Sequence, residues 1–281
     1  MGATAANRAA LAELHLLLAR AFLPPLEPSF AQSFSHDLPE DLGEIAQDLP
    51  FDCMAPVAAF HESASALGYD ALLQVYSALF LQPPQRANLD ASVHLDGAAM
   101  GPTTLGVQER YARYGLAPAE RLHELPDHLS RLLEFSGFLL GRASAAADER
   151  QAVAFESEAR DFIDAYLRPW IPALAVEIRT ACDELDLPRA YLHLAELAAA
   201  AAWEGEGWRR DESRRRPARA PRMARCQQCD KPYAEDAALR AVRRIMKKKG
   251  LPVAHLDRCE NCRGIMDEAP GLVEPAEIRS M

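Results

Sequence analysis

Four cysteines carry the plainest chemistry in this sequence. Cys226 and Cys229 form one C-x2-C pair, Cys259 and Cys262 form a second, and 29 residues separate the pairs. Within a pair this spacing lets both thiolates face one ion, and two pairs complete a tetrahedral shell of four sulfurs. Arg225, Lys231, Arg258 and Arg263 flank them, and nearby positive charge favours thiolate over thiol. Four protein ligands leave no open coordination position, so the pattern reads as a structural zinc site rather than a catalytic one. Iron or an iron–sulfur cluster is the alternative. Cys53 and Cys182 stand alone, as small apolar core residues do. Close pairs plus singletons are metal-site usage, not a secreted disulfide framework.

The stretch between the pairs supports zinc. Residues 235–249 place Leu239, Val242 and Met246 on one helical face, with Gly250 as the stop and lysines at 247, 248 and 249 near the C-terminal end, where the helix dipole favours cations. The pair spacing is also that of rubredoxin-type iron centres. Those knuckles usually carry Gly after the second Cys of each pair, and here the residues are Asp230 and Arg263. A helix between two cysteine knuckles reads as a zinc-knuckle-type module, which the metal holds folded because it lacks a core of its own.

Charge divides the chain. The 281 residues carry a net charge of −10. Residues 1–208 hold thirteen arginines, no lysine and thirty acids, a net of −17, while residues 209–263 are +10 and residues 264–281 are −3. Gly205 and Gly207 break the chain before an Arg-rich run with Pro217 and Pro221, which cannot bury apolar surface and reads as a solvated linker. The resulting organisation is an all-helical domain over 1–205, an Arg/Pro linker over 206–225, and a four-cysteine metal module with an acidic tail over 226–281. The +10 segment admits a second reading, a nucleic-acid-binding regulator acting through the basic module. The acidic large domain and the lack of interleaved aromatics for base stacking oppose it, so nucleic acid is not expected as a partner.

Ala (52) and Leu (37) supply about a third of the residues, against 20 for Val, Ile and Thr together. That balance favours helices over a large sheet, and the fold class is all-α, a multi-helix bundle followed by the small cysteine module. Leu11, Leu14, Leu18 and Phe22 recur at helical spacing after a Thr4 cap, up to Pro24. Further helices are expected after Leu38-Pro39, over 55–67, and from an Asp70 cap through Leu72, Tyr76, Leu79 and Phe80 to Pro83. Residues 84–102 read as a loop punctuated by Gly97 and Gly101. A helix capped by Thr103 or Thr104 follows, closed by Gly115. Then come one with Pro126 in its first turn, running to about Gly141, and helices over 149–167, from Pro172 and from Pro188. Eight to ten helices result, and only helix packing buries so many apolar stripes.

Two segments frame that loop: Tyr76-x-x-Leu79-Phe80 before it, and Glu124-x-Pro126-Asp127-His128-Leu129 with its Leu-rich continuation after it. Tyr111 and Gly115-Leu116 lie just upstream of the second. In these residues the chain resembles the TorD/DmsD-type redox-enzyme maturation chaperones, to which NarJ is related, over about residues 8–205. The family's aromatic-Glu-Ser-x-aromatic loop pattern is replaced here by the run from Leu89 to His94, without the aromatics. The resemblance implies an all-α, non-enzymatic, cytoplasmic chaperone. Such a protein binds the twin-arginine signal peptide and the apo catalytic subunit of a molybdenum-containing oxidoreductase until the cofactor is inserted. Carried over by position, Tyr76, Leu79, Phe80, Glu124, Pro126, Asp127 and His128 become candidates for the peptide-binding groove, with Asp127 able to accept from a guanidinium.

The residues themselves agree with that direction. The −17 balance attracts a cationic peptide at long range, and apolar stripes offer a groove for the segment that follows it. Asp127 and His128 are adjacent, so on a helix they point to different sides, and no Ser or Cys nucleophile stands in a recognisable motif. No Gly-rich phosphate loop is present. The most apolar stretch, 194–203, is about ten residues where a span needs about 20, so no membrane insertion is expected, and no secretory leader is visible.

Overall fold

The computed structural model describes residues 5–116, 125–203, 223–235, 239, 242, 243, 246, 247, 251–259 and 262. The Thr4 cap, Glu124, residues 206–222 of the 206–225 linker, Gly250 and the acidic tail lie outside the described residues, while 223–225, expected as the end of the linker, form a strand. The chain divides into two compact units, Met1–Arg215 and Arg216–Met281.

The regular elements of the first unit are all helices among its described residues. It runs α1 (Ala5–Ala21), α2 (Pro28–Gln32), a π-helical turn (Ser33–Asp37), α3 (Leu38–Ile45), α4 (Met54–Ala64), α5 (Tyr69–Phe80), α6 (Ala91–Asp96), α7 (Pro102–Arg113), α8 (Leu129–Ser144), α9 (Glu149–Tyr166), α10 (Ile171–Leu185) and α11 (Ala190–Ala202). Prolines open α2, α3, α7 and α10 within their first turn, where the missing N–H costs nothing.

Helices α1 and α8 form the central pair, and α9 packs on α8 while α11 packs on α1, α4 and α10. Gly137 makes the α1–α8 approach possible. A Cβ there would stand 3.1 Å from the Ala12 carbonyl oxygen and 3.0 Å from Leu16 Cγ. Inside this pair His15 Nδ1 bonds Ser136 Oγ at 2.6 Å, both fully buried, and burial holds the imidazole down at about 4. Arg8, 4% exposed, ties α1 to α9 through Glu149 (2.8 Å) and Glu156 (3.2 Å). Helix α11 is almost wholly buried; its run of alanines lets neighbouring helices close around it, and its one large ring, Tyr191, becomes an aromatic hub.

Four local expectations change. Asp70 does not cap α5: Gly68 is the N-cap and Asp70 lies within the first turn, where its charge suits the helix dipole. Residues 84–102 are not all loop, because 91–96 form α6, closed by Gly97 at φ +77°. Thr103 and Thr104 do not cap α7: Gly101 is its N-cap and Pro102 its first residue. Their hydroxyls instead reach Asp96 and Asp127. Helix α8 starts at Leu129 with His128 as its cap, so Pro126 precedes it and is not in its first turn.

In the second unit, β1 (Met223–Arg225) and β2 (Pro232–Glu235) pair antiparallel around the first cysteine pair. Between β2 and the second pair, residues 239, 242, 243, 246 and 247 are helical, while Glu235, expected at the start of this helix, ends β2 instead. A short 3-10 turn (Ala254–Asp257) precedes the second pair.

Candidate functional site

The loop from α5 to α6 stitches the two sequence segments together. Ala87 N–H donates to the Leu79 carbonyl (3.0 Å), Leu129 N–H to Leu89 (2.7 Å), and Ala91 N–H to Asp127 (3.0 Å). Asp90 and His128 form an isolated antiparallel bridge. Asp127 is fully buried. Its Oδ2 accepts Ser92 N–H at 2.7 Å and its Oδ1 accepts the Thr104 hydroxyl at 2.8 Å. One carboxylate thus joins α6, α7 and the approach to α8, and neither oxygen faces solvent to meet a guanidinium in this conformation.

Its neighbours are equally committed. The Pro126 carbonyl accepts from Tyr111 Oη at 2.9 Å. His128 Nδ1 caps α8 by accepting Ser130 N–H. Burial first, then Arg131, brings its imidazole down to about 4. Asp127 and His128 therefore serve separate partners and are no acid–base dyad. Asp90 carries the cost of this packing: burial, then the nearby Asp127, pushes its carboxyl up to about 6.

Tyr76, Leu79 and Phe80 lie in the core, each at most 2% exposed. Both rings pack on Tyr191, with centroids 5.7 and 5.3 Å away, and on each other at 5.0 Å. The structure brings α5 and the 126–129 segment together through the 84–91 loop, as a frame rather than as an open groove.

An open concavity begins at another ring neighbour of Tyr191. Phe34 packs on Tyr191 at 5.3 Å and edge-on against Phe60 at 5.4 Å. Its outer face helps floor a cleft of about 450 Å³ between the C-terminal end of α1 and the α2–α3 region. Leu17, Phe30 and Leu38 add to the apolar lining, and Leu26, 74% exposed, stands on the rim. Glu27, Asp37 and Asp41 place three carboxylates around it, against one cation, Arg20. Tyr69 Oη fixes the rim by donating to the Leu26 carbonyl at 3.2 Å. The π-helical turn turns Phe34 inward and leaves Asp37 exposed; such turns recur at functional sites. Sequence reasoning passed over these residues, although Phe30 and Phe34 at i, i+4 followed by acids at 37, 40, 41 and 44 were a visible signal.

In the second unit the sulfurs of Cys226, Cys229, Cys259 and Cys262 all lie within 4.8 Å of one another. Cys229 and Cys259 Sγ are 3.7 Å apart. Four sulfurs about 2.3 Å from one ion at tetrahedral angles lie about 3.8 Å apart, whereas a disulfide needs about 2.05 Å. The donor set therefore fits a tetrahedral metal.

The first knuckle is shaped by Asp230, which adopts φ +55°, a conformation that Asp tolerates better than most residues. Arg225 Nη1 holds it through the Asp230 carbonyl at 2.9 Å and carboxylate at 2.6 Å. Gln227 N–H reaches the Asp257 carbonyl at 3.0 Å, tying the first knuckle to the chain entering the second. Burial disfavours charge on Cys226, yet backbone N–H groups of Cys259, Cys229 and Gln228 bring its thiol down to about 6. Cys262 is pushed the other way, to about 12, first by its hydrogen bond with Cys259 and then by burial. Four thiolates this close call for a cation among them. Cys226 and Cys262 are buried, and Cys229 faces solvent.

An all-helical bundle with this internal frame, followed by a four-sulfur module, defines the class. The chain belongs to the nitrate reductase delta subunit family, whose model matches residues 31–176, just over half of its length. It is 27% identical over 135 residues to the perchlorate reductase assembly chaperone protein of Dechloromonas aromatica, covering 45% of this chain and 60% of that protein. It is 28% identical over 136 residues to the chaperone protein TorD of Photobacterium profundum, covering 46% and 63%. The matches thus span somewhat under two thirds of these relatives. A solved structure from Archaeoglobus fulgidus, described as a candidate redox enzyme maturation protein, overlaps 54% of this chain and 93% of its own at 20% identity. Its TM-score of 0.35 is too low to add support. No helix among the described residues is long and apolar enough to cross a membrane.

Proposed function

We propose that this protein is a non-catalytic, cytoplasmic maturation chaperone for a molybdenum-containing oxidoreductase. It holds the apo catalytic subunit and its twin-arginine signal peptide through the helical domain over 1–205 while cofactor is inserted. The observation that carries this reading is the family match, which runs through α5, the joining loop and the start of α8. The relatives support it, since one is an assembly chaperone for perchlorate reductase and the other a TorD chaperone. The −17 charge of residues 1–208 suits a cationic leader.

Within this reading Tyr76, Leu79, Phe80, Pro126, Asp127 and His128 contribute as the frame that shapes the receptor. Glu124 remains a candidate contact. Cys226, Cys229, Cys259 and Cys262 hold a structural zinc, which organises the 226–281 module; a four-thiolate site supplies folding energy rather than chemistry.

Gentle purification from the native host, with mass spectrometry of what accompanies the protein, tests the function. A molybdoenzyme catalytic subunit with its leader uncleaved is the expected companion. Nucleic acid or transcription proteins in its place, under conditions where molybdoenzymes are expressed, overturn the reading in favour of the nucleic-acid alternative. Elemental analysis of the same sample is expected to return one zinc per chain; iron in that ratio would replace zinc.

A further inference from the structure

We infer that the cleft between α1 and the α2–α3 region seats the arginine pair and the adjoining apolar segment of the client's leader. This inference rests on the leader-binding reading above and assigns it a place that the sequence motifs did not mark. The cleft has the two properties that such a ligand demands, side by side. Its floor and one wall are apolar, from Leu17, Phe30, Phe34 and Leu38. Its rim carries Glu27, Asp37 and Asp41. Asp37 and Asp41 are exposed and pair with no cation among the described residues, so they are available to guanidinium groups. Arg20 is the one cation of the lining, at the end of α1 where the helix dipole already accommodates it.

Size is consistent with a short segment. About 450 Å³ falls within the range of ligand pockets and holds a few side chains, not a folded surface. A cationic head followed by an apolar run lays its charges on the rim and its Leu or Phe side chains over Phe30 and Leu26. Leu26, 74% exposed, gains an apolar partner.

The placement also explains how the buried motif could matter. Phe34 of the floor rests on Tyr191, and Tyr191 rests on Tyr76 and Phe80. Those motif residues are positioning residues for the cleft and touch no ligand themselves.

The test uses the full-length protein and a synthetic peptide of about 22 residues, with two adjacent arginines followed by a Leu/Phe-rich run, read by fluorescence anisotropy at low salt. The variants are the double substitution Asp37→Asn with Asp41→Asn, and separately Phe30→Ala, with Asp161→Asn on the exposed face of α9 as the control. Two exposed charge pairs are together worth about tenfold in affinity. The double variant is therefore expected to bind about tenfold more weakly and with a shallower salt dependence. Phe30→Ala should weaken binding with the salt dependence unchanged, and the control should match wild type. A benzophenone in the peptide's apolar run is expected to crosslink within 17–41. If wild type binds and the double variant binds equally well, or crosslinks map elsewhere, the cleft assignment is wrong while leader binding stands. If wild type fails to bind the peptide, the leader-binding reading fails, and this inference with it.

Discussion

Asp127 offers the sharpest division between a ligand-contacting acid and a structural one. The carboxylate accepts Ser92 N–H and the Thr104 hydroxyl at 2.7 and 2.8 Å, in a fully buried position. Hydrogen bonds to a charged partner contribute about 1.5–3 kcal/mol each. Asp127→Ala removes both and strands two buried donors, so a loss of about 3–5 kcal/mol is expected. That is a large share of the about 5–15 kcal/mol typical of a domain. Asp127→Asn keeps the shape: its carbonyl can still accept Ser92 N–H, and its amide can donate to Thr104 Oγ1 once that hydroxyl rotates. Its cost should stay near 1–2 kcal/mol, and Thr104→Val should cost about as much. Urea unfolding followed by far-UV circular dichroism measures all three. Peptide affinity of the folded Asp127→Asn variant is then read by anisotropy and should be within twofold of wild type. An Asp127→Ala protein within 1 kcal/mol of wild type would refute the strut. So would a fully folded Asp127→Asn protein that loses peptide affinity tenfold, because the carboxylate would then be meeting the ligand.

Three further outcomes follow from the same geometry. His15 and His128 are held down at about 4 by burial, below their ordinary 6.5, so the unfolded chain takes up protons first and stability falls as pH drops through 6.5 toward 4. Asp90, held up at about 6, works the other way over about 4–6, and together these three groups leave a net loss of about 2 kcal/mol between pH 7 and pH 5; equal urea midpoints at the two pH values would contradict this. Gly137→Ala places its methyl against Leu16 and the Ala12 carbonyl; overpacking of about 1–3 kcal/mol outweighs the helix-propensity gain of about 1 kcal/mol, so thermal unfolding should come several degrees lower. Cys259→Ser is expected to abolish stoichiometric zinc and the amide protection of the 223–235 hairpin, and retention of both would remove the four-sulfur site.

Much of the helical order could be read from the chain because its signals are local. Apolar stripes at helical spacing, prolines at first turns and Gly115 at the end of α7, at φ +67°, each act within a few residues. The cysteine pairs were readable for the same reason, since two C-x2-C pairs leave little else for the thiols to do. Asp230, which departs from the glycine usual at that position, proves to keep the left-handed backbone that glycine serves there. What escaped depended on distant partners. Helix α6 is only six residues long, too short to show a period, and the α5–α6 loop that leads into it is held by bonds to Leu79 and to Asp127 and Leu129 far along the chain. The hydroxyls of Thr103 and Thr104 looked like caps because the competing acceptors, Asp96 and Asp127, are tertiary neighbours. Strands of three and four residues around a knuckle carry no readable alternation.

Burial reshapes the meaning of the two marker segments. A residue such as Tyr76 can be indispensable to ligand binding without approaching the ligand, because Tyr76 and Phe80 fix Tyr191, Tyr191 backs Phe34, and Phe34 floors the cleft. The 126–129 segment holds the same helix from the other direction, through Leu89, Ala87 and the Leu79 carbonyl. Substitutions in either segment should therefore leave affinity near wild type until they remove enough stability to unfold the frame, and any loss should be reversed when stability is restored by a compensating change elsewhere. Substitutions at Asp37 and Asp41 should lower affinity at unchanged stability. The two behaviours separate frame from contact surface on the same plot of affinity against unfolding free energy.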